Sequence, residues 1–76
     1  MIDEILSNLR TYFGLSEDEL SAETSFRQEL LWDDIDLFEV LFYIEQKYET
    51  EIPDETANQI DNVNQLVDWL QGSSKQ

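Results

Sequence analysis

The sequence contains no cysteine and no histidine. Without cysteine there are no disulfides and no thiolate metal sites. Without histidine a zinc centre loses its other common ligand, and the usual general base of neutral-pH catalysis is missing. Cations are scarce too: 4 Lys and Arg stand against 18 Asp and Glu, a formal net charge of −14. A chain so charged repels nucleic acid and anionic membranes, and its natural partners are basic protein surfaces. The two glycines, Gly14 and Gly72, lie too far apart to form a phosphate-cradling loop. No apolar run reaches membrane-spanning length, and the opening MIDEIL is acidic where a secretory signal is basic. The expectation is a cytoplasmic monomer that binds neither nucleic acid nor membrane.

What is present suits one small domain: 76 residues, 41% hydrophobic and 12% aromatic, the aromatics arguing against acidic disorder. In MIDEILSNLRTYFG, residues Ile2, Ile5, Leu6, Leu9 and Phe13 draw one apolar stripe and Gly14 supplies a stop, which predicts a helix over about 2–13. LSEDELSAETSFRQELLW has no such period. It reads as a long connection, with Ser16 and Glu19 at capping-box spacing and Leu15, Leu20, Phe26 and Leu30 as pegs onto a core.

From Asp33 to Tyr48 the helical period returns. Leu37, Leu41, Ile44 and Tyr48 form the expected core face, while Ile35, Glu39, Phe42 and Gln46 draw a second stripe well over a quarter-turn away. That flank is either a docking face with an apolar centre and acidic rim, or a widened core stripe with scattered surface apolars. EIPDETANQI predicts a turn at Pro53, a cap at Asp54, a short helical turn through Ala57 and an inward Ile60. Val63, Leu66, Val67 and Leu70 predict a closing helix, capped by Asp61 or Asn62 and stopped at Gly72. The fold class is all-α: a four-helix bundle of three main helices and one short one, with a domain over residues 1–71 and a loose tail over 72–76.

The stretch LLWDDIDLFEVL, residues 30 to 41, concentrates three aspartates beside Trp32. Asp33 can cap the helix, and Asp34 and Asp36 fall in its first turn, where each negative charge contributes roughly 0.3–1 kcal/mol before mutual repulsion. The run is not a spaced EF-hand loop, so no specific metal site is expected. Nor does a small bundle with exposed acids offer a pocket for acid–base work, so the reading is no enzyme.

Taken in order, FGLSEDEL, the SF of Ser25 and Phe26, the acidic start of the second helix, and TEIPDETA at residues 50 to 57 closely resemble the acyl carrier proteins from near the N-terminus to about Leu70. The resemblance implies their helical bundle and 4'-phosphopantetheine as the family's cofactor. It also implies docking on fatty-acid, polyketide or peptide biosynthetic and acyl-transfer enzymes. Family members begin the second helix Asp-Ser-Leu after a glycine, and the serine carries the phosphopantetheine. Here the aligned residues are Asp33, Asp34 and Ile35, and Leu31 stands at the glycine. A carboxylate cannot give the phosphodiester that a hydroxyl gives, so no cofactor is expected on the chain as written. By resemblance, basic enzyme surfaces would meet Asp33, Asp36, Glu39 and Glu45, with Ile35 and Phe42 as apolar anchors and Glu51, Asp54 and Glu55 as a second acidic cluster. Two functions stay open: a docking protein that carries no arm, or a genuine carrier whose serine has been substituted in this version.

Overall fold

The computed structural model describes residues 1–73. Four helices follow one another, α1 (Ile2–Phe13), α2 (Asp34–Tyr48), α3 (Asp54–Gln59) and α4 (Val63–Ser73), with no strand among the described residues. The all-helical bundle expected from the periodicity is therefore the fold.

α1 buries Ile5, Leu6 and Leu9. It ends where Gly14 turns left-handed at φ 68°, which leaves the Gly14 and Leu15 N–H groups free to bond the Arg10 carbonyl. α2 turns Leu37, Val40, Leu41 and Ile44 inward. Tyr48 extends that stripe half-buried; its hydroxyl is buried with no partner among the described residues, and burial pushes its pKa up. Pro53 itself, rather than Asp54, occupies the cap of α3, and Asp54 is the first helical residue. This follows from proline's fixed φ of about −65°, which suits the entry to a helix and needs no N–H partner. Asn62 caps α4, accepting from the Gln65 N–H at 2.8 Å, while Gln65 Oε1 accepts from the Asp61 N–H at 2.6 Å. α4 continues past Gly72, the expected stop, to Ser73; Gly72 does not take the left-handed φ that makes Gly14 a stop. The remainder of the expected tail, residues 74–76, lies outside the described residues.

The long connection between α1 and α2 is anchored throughout. Ser16 and Glu19 close a reciprocal box (Glu19 N–H to Ser16 Oγ 3.2 Å, Ser16 N–H to Glu19 Oε1 3.0 Å). Leu20 and Phe26 are fully buried, whereas Leu15 and Leu30 pack partly buried against the core. Asp61 binds this loop to the α3–α4 junction. Its carboxylate accepts from the Ser25 hydroxyl, from the Arg27 N–H at 3.1 Å and from Arg27 Nη1 at 3.5 Å, and its carbonyl accepts from the Phe26 N–H at 2.8 Å.

With a net charge of −14 the folded state confines its own repulsion. Added salt or millimolar divalent cation should therefore raise the melting temperature, read from the fluorescence of Trp32 and Trp69. A melting point indifferent to ionic strength contradicts this account.

Candidate functional site

The start of α2 is built by three aromatic rings. Trp32 stacks on Phe13 (centroids 4.4 Å apart) and on Phe26 (4.7 Å), and its N–H donates to the Phe26 carbonyl at 2.9 Å. The ring contacts tie the residue before the helix to the end of α1 and to the fully buried peg of the loop. Asp33 then caps α2. Its Oδ1 accepts from the Asp36 N–H at 3.0 Å, and Asp36 Oδ2 accepts from the Asp33 N–H at 3.4 Å, a capping box made of two aspartates. Leu31 is the unusual residue: it takes φ 58°, a left-handed conformation that L side chains rarely adopt, and it is 78% exposed.

Asp34 is the first helical residue and is exposed, and its side chain makes no hydrogen bond or ion pair among the described residues. Beyond it the outward face of α2 carries Ile35 (67% exposed), Phe38 (59%) and Phe42 (62%). The second stripe is thus a surface feature and not a widened core. Phe38 was missed by the sequence reading, although it stands three residues from Ile35 and four from Phe42, spacing that marks one helix face.

The predicted acidic residues divide by their surroundings. Glu39 is exposed and accepts from the Tyr12 hydroxyl at 2.9 Å. Glu45 is half-buried and accepts from the Ile52 N–H at 2.8 Å, so its carboxylate also fixes the turn between α2 and α3. Asp33 and Asp36 hold each other's backbone. Glu51, Asp54 and Glu55 are all exposed around the entry to α3. Neither ion pair among the described residues, Arg27–Asp61 and Lys47–Glu4, neutralises any of these carboxylates.

Between α1 and α2 lies an open groove of about 480 Å³, lined by Leu9, Tyr12, Val40, Phe42 and Tyr43 among others, with Glu39 its one carboxylate. A single acid offers no acid–base pair. The hydrogen bond to Glu39, together with its charge, holds the Tyr12 hydroxyl above its ordinary pKa of 10.0. Removing that charge with Glu39→Gln should lower the Tyr12 titration. A difference titration of phenolate absorbance against the parent should show one tyrosine moving down. Since the folded value is the raised one, any stability from this bond is present below the unfolded tyrosine pKa and is lost as pH rises through the folded value.

An exposed residue at the first position of α2, a pegged loop before it and a short third helix make a small all-helical bundle. Residues 3–70 match the family model of the phosphopantetheine attachment site. The chain is also 36% identical over 72 residues to the acyl carrier protein of Rubrobacter xylanophilus, an alignment covering 90% of this chain and 89% of that protein. This chain belongs to the phosphopantetheine-attachment family of acyl carrier proteins. The members of this family are carriers and not enzymes, they interact with biosynthetic enzymes, and the cofactor expected in the family is 4'-phosphopantetheine. None of the helices among the described residues is long and apolar enough to cross a membrane.

Proposed function

We propose that this protein is a cytoplasmic, monomeric member of the family that docks on acyl-transfer or biosynthetic enzymes without carrying the arm. The observation that carries this reading is Asp34. It occupies the position where the resemblance puts the attachment serine, at the exposed first turn of α2. Attachment requires a hydroxyl oxygen to attack the pyrophosphate of coenzyme A and form a phosphodiester; an aspartate would form a labile acyl phosphate. The residues at this site therefore do not fit the family's cofactor. The surroundings support docking. An apolar stripe on α2 lies next to Asp34 and Glu39, with Asp33 and Asp36 at the helix start, and electrostatic steering would bring basic enzyme surfaces to it.

The competing reading is a genuine carrier whose serine has been substituted. Leu31, at φ 58°, favours the unarmed docking protein, because it stands where the family usually has glycine, the residue for which that conformation is free of strain. Mass spectrometry of the chain after incubation with coenzyme A and a promiscuous phosphopantetheinyl transferase tests the proposal. No mass gain is expected, and a gain on the unmutated chain overturns the assignment of Asp34.

A further inference from the structure

Polar bridges join α1 to α2 in a single register. Lys47 pairs with Glu4, the Asn8 amide donates to the Tyr43 hydroxyl at 2.7 Å, and the Tyr12 hydroxyl donates to Glu39 at 2.9 Å. Each bridge lies four residues further along α1 and four residues back along α2, so the two helices run antiparallel with a bridge at every turn, about 6 Å apart. This ladder fixes the spacing of the helices. The groove of about 480 Å³ between them is therefore formed before any ligand arrives.

Leu9 and Val40, both buried, make the floor of the groove, with one tyrosine ring from each helix, Tyr12 and Tyr43, beside them and the exposed Phe42 at the lip. Glu39 and Tyr43 each follow a residue of the outward row, Phe38 and Phe42, and so stand about 100° round the helix from it, on the flank that faces α1. The two ends of the groove differ in charge. At one end Glu39 Oε2 accepts from Tyr12, Oε1 has no hydrogen bond among the described residues, and Asp36 adds to the negative charge felt by the Tyr12 hydroxyl. At the other end Lys47 Nζ stands 5.8 Å from the centre of the Tyr43 ring, so a ring of this groove already has a cation on its face.

We propose that the α1–α2 groove binds a small hydrophobic amine, with its ammonium on Glu39 and its apolar body laid over Leu9 and Val40 toward Tyr43. An ammonium supplies the charge-assisted donor that Glu39 Oε1 lacks, and aromatic walls suit both the cation and an apolar body. Lys47 sets the direction, because it repels an ammonium from the far end. A carboxylate ligand is repelled by Glu39 and by the net charge of −14. A bare cation meets similar attraction at any of the 18 acids, and only an apolar body selects the groove. This inference goes beyond the docking reading and does not depend on it.

The test is an NMR titration of the ¹⁵N-labelled chain with phenethylamine at physiological salt. Saturable shifts should centre on residues 8–12 and 39–43, with an affinity on the order of 1 mM for a ligand of so few atoms. The uncharged 2-phenylethanol should bind about tenfold more weakly, and ethylamine and 3-phenylpropionate should not saturate. Glu39→Gln keeps an acceptor for Tyr12 and should lower the affinity for the amine to that for the alcohol, whereas Glu17→Gln, an equal loss of charge in the exposed loop, should leave it unchanged. Equal binding of the alcohol, or full affinity in Glu39→Gln, overturns the role of Glu39. Equal binding of ethylamine, or shifts spread over the acidic surface, reduces the effect to counter-ion attraction and overturns the site. Shifts centred instead on Ile35 and Phe38 put the amine on the outward face and overturn the groove. The transferase assay reads residue 34 alone, so failure of the unarmed reading and failure of the amine site are seen separately.

Discussion

Asp34→Ser should turn a chain that a phosphopantetheinyl transferase leaves untouched into one that it modifies. The substitution recreates an Asp33-Ser-Ile35 start while leaving the Asp33 cap and Asp36 in place, so the helix start survives and the new hydroxyl sits in its exposed first turn. The other serines, Ser7, Ser16, Ser21, Ser25, Ser73 and Ser74, stand away from this position in the sequence, so a mass gain confined to the variant reports on residue 34. The extent of modification separates the two functional readings. Incomplete, slow modification is expected of a long-unarmed docking protein, because the Leu31 side chain projects where the family usually has glycine and Trp32 is fixed by two ring stacks. Adding Leu31→Gly should then speed the reaction. Near-complete modification by the single change speaks instead for a carrier that lost only its serine.

Phe26→Ala should remove most of the stability of the domain. The ring is fully buried at the centre of the loop, stacks on Trp32, and belongs to a residue whose N–H and carbonyl bond Asp61 and Trp32. Truncating a buried phenylalanine costs about 3–5 kcal/mol, a large share of the roughly 5–15 kcal/mol that holds a domain together. Urea denaturation followed by helical circular dichroism should show the midpoint falling steeply. Trp32 emission should also shift to the red before the global transition, because the tryptophan loses one face of its stack. Phe42→Ala makes the contrast: a ring 62% exposed should change stability by no more than about 0.5 kcal/mol. A loss comparable to that of Phe26→Ala would place Phe42 in the core and remove it from the docking face.

The helices were legible from residue order because they rest on local rules. Ile5, Leu6 and Leu9 recur at the period of a helix face, and a left-handed glycine stops the helix at Gly14. Asp33 can reach the N–H of Asp36 because it stands only three positions before it. Leu20 and Phe26 could be recognised as pegs because large apolar residues in a polar loop need burial. The outward stripe through Ile35 and Phe42 was visible as a pattern with two readings, and the same spacing would have included Phe38. Asp34 was conspicuous for a different reason, as a departure from the motif of a resembling family.

Residue order alone therefore determined an acidic helical bundle, its Asp33 cap and its core-facing stripes, since each depends on neighbours close in sequence, while it set the α3 cap one residue late and the α4 stop too early. Tertiary structure decided what depends on distant partners. Asp61, read from sequence as one of two possible caps, instead binds Ser25 and Arg27 across 36 and 34 residues, a pairing no local period announces. Glu45 is recruited by the Ile52 N–H once the turn into α3 has closed. Whether the second stripe of α2 faced core or solvent depended on where the other helices packed, and they cover Leu37, Val40, Leu41 and Ile44 while leaving Ile35, Phe38 and Phe42 outside. Leu31 is the sharpest case. Its own preference is against a positive φ, and it takes one with Trp32 stacked between Phe13, eighteen residues before it, and Phe26.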